Sequence, residues 1–331
     1  MSFAKFKNLD NRITRKSFLQ KSSLSMLALG LGSLGDLRAT IPNEHSVLQP
    51  DWEGEKIRSV TYNVFNGCIG YKGINGRELP PGEVSWRVKM ARDLHQIPKR
   101  IMLELELYQP NIINFAEGPN EKVVSEMAKL LNYNYAFFPG GQDGKGGFPG
   151  AVLTNFDIVD SSTRPFADPK NDAKELFTRH WGKATLRTST GKTLVVHSAH
   201  LWPFRREPRD TEIRMMEIQE LKSSIKKDLQ NKIKSVLLQG DLNFSPDMPE
   251  YAKILDEGLI DTFKKAGTGD GNTIDAISPG RRIDFIFAQG EIAKNIQASR
   301  ALFEGNFRLY PDDPTSYALS DHLPVLTDFI L

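Results

Sequence analysis

The 331-residue sequence predicts an α/β fold, a four-layer sandwich of two mixed β-sheets packed face to face with helices outside. Three observations predict it. Apolar strand-like runs alternate with helical stretches from Lys56 onward, the strand groups fall into two halves that each carry helices, and no repeat, heptad array or low-complexity linker interrupts them. Composition agrees, because 39% hydrophobic and 25% charged residues leave material for a sizeable core and exclude wholesale disorder.

The first strand is read over Ile57–Val64. A helical region at Trp86–Leu94 leads to Pro98, and a second helix runs toward Leu107 before Gln109-Pro110 ends it. A strand at Asn111–Ala116 follows, then a helix at Glu121–Asn132 whose Val123, Val124, Met127, Leu130 and Leu131 share one face. Six glycines between Gly140 and Gly150 mark a mobile loop or a turn between strands. Beyond them lie strands at Ala151–Thr154, within Leu176–Thr188 and at Thr193–Leu201. A long polar helix covers Arg209–Leu229, a strand Ser235–Gln239, another helix Met248–Lys265, and the last two strands Ile283–Ala288 and Pro324–Ile330.

Residues 1–39 read as an export signal, with basic residues in NRITRKSFLQKSS, a short glycine-interrupted apolar run and a small residue at Ala39. The run is too short for a membrane span, which needs about 20 apolar residues, so no integral span is expected. Thr14 to Leu19 resembles the bacterial twin-arginine motif, with Lys16 in place of the second arginine. The expected organisation is therefore a signal at 1–39, a linker at 40–55 and a catalytic domain at 56–331, working in the periplasm, at the cell surface or outside the cell. The signal holds seven basic and two acidic residues, and the chain beyond residue 39 balances at −3. That balance offers no support for a general polyanion binder, although Arg205, Arg206 and Arg209 could serve one phosphate. Cys68 stands alone, so no internal disulfide or cysteine-rich metal site can form.

Chemistry-bearing residues cluster at strand ends. In VLLQGDLN, Asp241 could polarise a water and Asn243 hold the water or a phosphoryl oxygen; an Asx turn is the alternative. In SDHLPV, Asp321 could reach a metal while His322 donates to a phosphate oxygen; the alternative is a turn cap and an edge histidine. Asp284 interrupts the apolar run RIDFIF, where an unpaired carboxylate would be costly, so it needs a partner. That partner is His322, or else Arg281 or Arg282 in a structural ion pair. Glu117 offers the anionic oxygen that Mg²⁺ prefers, or else the acid of a helix N-terminus. His200 ends a strand and could bind phosphate, while His197 faces elsewhere as a structural residue. Trp202 and Arg205 form a substrate rim, or Trp202 anchors an ordinary loop.

Taken together and in this order, TYNV with Asn63, SAHL with His200, GDLN, RIDFIF and SDHLPV resemble the endonuclease/exonuclease/phosphatase superfamily over about Lys56–Leu331. The resemblance implies a DNase I-like two-sheet sandwich, dependence on Mg²⁺ or Mn²⁺, and attack of water on a phosphoester without a covalent intermediate. It implies that Glu117 binds the metal, with Asn63 supporting that site and Asp321 beside it. Asp241 would then orient and deprotonate the water, and Asn243 would steady the phosphoryl group. His200 and His322 would stabilise its charge, with Asp284 orienting His322. Ala116 precedes Glu117 where the superfamily usually has glutamine. His200 resembles the branch of secreted nucleases, sphingomyelinases and inositol phosphatases. The expected substrate is a small or lipid-derived phosphate ester, with a secreted nuclease or a non-catalytic binding protein as alternatives, and the expected state is a monomer.

Overall fold

The computed structural model describes residues 54–71, 73–74, 77–78, 94–141, 146–165, 176–256, 258–313 and 316–331. The export signal, most of the linker, and the expected helix at Trp86–Leu94 apart from Leu94 lie outside the described residues. The first half of the chain runs through β1 (Lys56–Asn63), α1 (Ile97–Glu106), β2 (Ile112–Ala116), α2 (Glu121–Leu131), β3 (Asn134–Gly140) and β4 (Gly146–Thr154). It continues into β5 (Asp157–Thr163), β6 (Trp181–Arg187), β7 (Thr193–His200), α3 (Asp210–Gln230) and β8 (Ser235–Asp241). The remainder is α4 (Pro249–Leu255), β9 (Ile260–Asp261), α5 (Thr262–Ala266), β10 (Asp284–Gly290), β11 (Ile296–Ala301) and β12 (Val325–Ile330).

Two six-stranded mixed sheets result, one ordered β11-β12-β1-β2-β4-β3 and the other β9-β10-β8-β7-β6-β5. The two are built alike. Each has a central parallel pair, β1 with β2 and β8 with β7, and an antiparallel strand beside it, β12 and β10 respectively. The apolar clusters define the four layers. Val60, Tyr62, Ile101, Leu105, Val124 and Met127 join the first sheet to α1 and α2. Ile57, Ile112, Val196, Leu237, Ile286 and Phe329 fill the space between the sheets, and Val195, Ile218, Leu221, Val236, Leu238 and Phe287 join the second sheet to α3. Asn120 caps α2 by accepting from Val123 N, and Asn132 closes it in the left-handed region at φ 58°.

The structure differs from the sequence reading at several elements. The helix expected over Met248–Lys265 is broken into α4, β9 and α5, because Gly258 takes φ +90° and the Asp261 carboxylate accepts from Phe263 N and Lys264 N to start α5 afresh. Leu130 is 49% exposed and lies off the buried face of α2, where Val124, Met127 and Ala128 do the packing. Strands β3, β5 and β11 are absent from the sequence reading, and β5 and β11 carry no alternating apolar signal. Of the glycine-rich segment, Gly140 ends β3 and Gly146 opens β4, paired with each other antiparallel, and 142–145 lie outside the described residues. Among the described residues, no helix is long and apolar enough to cross a membrane.

Candidate active site

Strand parity brings the site together. In β1, β7, β8 and β10 the residues that face the opposite sheet share parity with Ile57, Val196, Leu237 and Ile286, and that parity also selects Asn63, His200, Asp241 and Asp284. Register then fixes the end of the sandwich at which they emerge. Asn63 lies opposite Ala116, His200 opposite Asp241, and Asp241 opposite Asp284, while Val325 pairs with Thr61 and so delivers Ser320-Asp321-His322 to the same mouth. Gly240 makes this pairing possible. It sits at φ +147°, and a Cβ there would stand 1.9 Å from the Ala199 carbonyl oxygen.

On the second sheet the carboxylates and imidazoles form one bonded set. His322 Nδ1 lies 2.8 Å from Asp284 Oδ2, which fixes Nδ1–H as the donor and turns Nε2 toward Asp241, 3.9 Å from its Oδ2. Neither arginine pairs with Asp284: Arg282 forms a bidentate pair with Asp261 at 2.9 and 2.7 Å, and Arg281 lies over the Phe204 ring. Asp241 Oδ2 also accepts from Asn63 Nδ2 at 3.0 Å, which bonds the two sheets to each other, and lies 3.4 Å from His200 Nε2. Its Oδ1 accepts from Asn243 N at 3.1 Å. The Asx turn considered for GDLN is thus present and uses one oxygen, leaving the other for the site. Burial, and then the charge of Asp284, push Asp241 up to about 7. Burial works against a charged His322, yet the carboxylates of Asp284, Asp321 and Asp241 hold it well above its ordinary value. His200 is the reverse: burial, then Arg179, His180 and His322, keep it neutral. Asn243, at φ 53°, donates from Nδ2 to Leu201 O at 3.2 Å.

On the first sheet the site is open. Glu117 leaves β2 at φ 52°, half-buried, and its Oε2 accepts from Asn66 N at 2.9 Å. It borders a groove of about 1170 Å³ whose floor includes Ile97, Met127 and Phe137. The Ser320 hydroxyl donates to Asn63 O at 2.6 Å and accepts from His322 N at 3.1 Å, tying β1 to the SDHLPV segment. Asp321 is raised by burial, with Glu117 adding to the effect.

Four acids, Glu117, Asp241, Asp284 and Asp321, thus share the mouth with one raised imidazole. That excess of hard oxygen donors fits a divalent cation such as Mg²⁺. Ligating atoms of Asp241, Asp284 and His322 lie within 4.8 Å of one another, but the 2.8 Å bond inside that group makes it a charge pair facing a carboxylate rather than three free ligands. No such tight group among the described residues includes Glu117 or Asp321.

Trp202 and Arg205 stand on the loop after β7, stacked with the guanidinium carbon 4.6 Å from the ring centroid. The Trp202 indole donates to Asp210 Oδ1 at 2.9 Å. Arg206 and Arg209 are exposed, and Arg209 reaches Glu212 at 3.8 Å. His197 faces α3, bonded through Nε2 to Asp228 at 2.9 Å, and is structural as expected. Sequence reasoning missed Arg179, whose burial lowers its pKa while Asp241 and Glu117 draw it back up. It lies in the turn before β6 with no pattern around it. Thr273 was missed as well: its hydroxyl accepts from Ile283 N and Asp284 N, and its carbonyl from Leu323 N.

No curated protein matches the sequence. Solved structures do match at low identity. An endonuclease/exonuclease/phosphatase family protein from Bacteroides thetaiotaomicron has 17% identity and a TM-score of 0.61, over 85% of this chain and 99% of that one. A mannosyl-6-phosphatase from the same species has 17% identity and a TM-score of 0.61, over 83% of this chain and 100% of that one. The human Nocturnin catalytic domain, with bound sulfate, has 18% identity and a TM-score of 0.57, over 83% of this chain and 93% of that one. At these identities the likeness shows the fold, the expected DNase I-like sandwich. The profile of the Endonuclease/Exonuclease/phosphatase family matches residues 60–322, and the chain belongs to that family.

Proposed function

We propose that the protein is an exported, divalent-metal-dependent phosphoester hydrolase acting on a small or lipid-derived phosphate ester. The observation that carries this reading is the convergence on Asp241 Oδ2 of Asn63, His200 and the His322–Asp284 pair, at the joint mouth of both sheets. A carboxylate pushed up to about 7 can take a proton from water near neutral pH, and a neighbouring imidazole held protonated can meet negative charge.

In this mechanism Asp241 orients the attacking water and receives its proton at Oδ2, with Asn63 Nδ2 and His200 Nε2 holding the carboxylate in place. His322 presents Nε2–H to a phosphoryl oxygen as charge grows there, and Asp284 retains the proton on Nδ1. Asn243, with one amide hydrogen spent on Leu201 O, offers the other to the phosphoryl group. Glu117, with Asp321 and Asn63 nearby, would hold Mg²⁺ or Mn²⁺, which supplies Lewis-acid charge to the phosphate when bound. His200, being neutral and buried, serves better as a support for Asp241 than as a cationic phosphate ligand.

Export rests on the composition of residues 1–39, and Trp202 with Arg205 supplies an aromatic and basic rim for substrate. One structural neighbour is a mannosyl-6-phosphatase, so a phosphorylated sugar joins the classes to try first. The test is hydrolysis of a phosphodiester, a phosphomonoester, a sugar phosphate, sphingomyelin and plasmid DNA by the protein lacking residues 1–39, with Mg²⁺ and with a chelator. Chelator-sensitive turnover of a small or lipid phosphate is the expected result. Turnover of plasmid alone would replace the substrate class, and silence across the panel in folded, Mg²⁺-binding protein would refute hydrolysis.

A further inference from the structure

Three guanidiniums on the second-sheet side of the site are stacked on aromatic rings instead of being paired with acids. Arg179 lies 4.8 Å from the Phe148 ring centroid, Arg205 4.6 Å from Trp202, and Arg281 5.5 Å from Phe204. Among the described residues none of the three has a carboxylate at ion-pair distance, and Arg179 Nε is buried with no hydrogen-bond partner. Each is tied to the reacting centre. Phe148 packs edge-on against His200, Trp202 follows His200 by two residues, and Arg281 bridges through Ile274 to His322.

The acids close to these arginines are already occupied. Glu217 accepts from Phe177 N on Oε1 and from Trp202 N on Oε2, both at 2.7 Å, so one buried carboxylate clamps the turn leading to Arg179 to the loop bearing Arg205. Asp210 takes Trp202 Nε1 at 2.9 Å, Arg205 N at 2.8 Å and Glu207 N at 3.1 Å. These acids hold the backbone in place and leave the guanidiniums free to meet a ligand. A guanidinium aligned by an aromatic face and lacking an acid partner is pre-organised for an anion.

We propose that Arg179, Arg205 and Arg281 form a second anion subsite beside the scissile position, and that the substrate is a small molecule carrying two phosphate groups. This rests on the reading of the site as a phosphoester hydrolase. Arg179, which interacts electrostatically with Asp241 and Glu117 as well as with Arg205, is assigned to the junction of the two positions, and Arg205 with Arg281 takes the phosphate that is not cleaved. A small bisphosphate fits better than nucleic acid, because the chain beyond residue 39 balances at −3 and supplies no extended basic track.

The test is calorimetric binding to the protein lacking residues 1–39 in the presence of a chelator, so that only the chain's own groups are read. Pyrophosphate and a hexose bisphosphate are compared with orthophosphate and the matching hexose monophosphate. The expected result is at least a tenfold preference for one of the bisphosphates, reduced to less than threefold in the doubly substituted R205A/R281A protein and retained in R206A, with unchanged melting temperatures. Equal affinity for mono- and bisphosphates in the parent would overturn the subsite, as would a preference that survives R205A/R281A or a short oligonucleotide that displaces the bisphosphate. If R205A/R281A fails to fold, R205K and R281K, which keep the charge but lose the planar fork, are expected to cut the preference at least threefold; no change would count against the proposal. Preferential binding without turnover of any ester would sink the hydrolase reading and leave the subsite standing.

Discussion

The two sheets meet at the site with the same strand plan and opposite character. The second sheet contributes His200, Asp241 and Asp284, all nearly inaccessible, with tautomers and charges set by one another. The first contributes Asn63, which reaches across to that set, and Glu117, which is half-buried, conformationally constrained and bordered by the open groove. The closed half suits proton transfer, which depends on pKa values that only burial can displace. The open half suits exchangeable partners, a cation and a substrate.

Removing the buried charge of the closed half should abolish turnover while leaving or raising stability. Asp241→Asn is expected to lower kcat by about 10³-fold or more. It should also raise the melting temperature measured in chelator, since burial opposes the carboxylate there. A variant that is active, or inactive only because it is unfolded, breaks the comparison. Gly240→Ala comes next. Its Cβ would collide with the Ala199 carbonyl, so chemical denaturation should show a loss of about 3 kcal/mol or more.

The open half should respond differently. Glu117→Gln is expected to cost about 100-fold in activity, with the Mg²⁺ concentration for half-maximal rate moved upward and the melting temperature in chelator unchanged. A variant with unaltered metal dependence would remove Glu117 from the cation site. The smallest effect concerns His180, which burial lowers to about 3 and whose Nε2 lies 2.9 Å from Ser198 Oγ. Its folded pKa lies below the ordinary 6.5, so its contribution is complete above pH 6.5 and is lost as pH falls toward the folded value. Between pH 7 and pH 5, the stability difference between the parent and His180→Gln should therefore shift by about 2 kcal/mol in favour of the variant. A constant difference would show that His180 titrates normally.

The closed half was the more legible in the sequence, for a physical reason. Asp241, Asp284, His200 and Asn63 sit in or at the ends of continuous apolar runs, which marks them as strand residues presented by a buried sheet, whereas the pairing register that brings them to one end was not readable. Glu117 was readable only as the residue after such a run; its left-handed turn was not. Arg179 and Thr273 lie in irregular turns and Phe148 within the glycine-rich segment, where no periodicity speaks. Long-range partners were also out of reach. The helix read as polar over Arg209–Leu229 buries Arg214 and Glu217, and Arg214 pairs with Glu250 at 2.8 Å from the next helix. The polar edge strand β5 left no alternating trace because its residues are largely exposed.

Asp284 sets the charge of His322 opposite Asp241, and the decisive measurement is the pH–rate profile of Asp284→Asn against the parent. The parent profile is expected to be bell-shaped, with Asp241 on the acid limb and His322 on the basic limb. In the variant the basic limb should move to lower pH, because the imidazolium loses its carboxylate, and the acid limb should move down with it, because Asp241 loses a negative neighbour. A variant whose rate falls evenly at every pH, with both limbs in place, would show that Asp284 does not set the charge of His322 and is a structural residue alone.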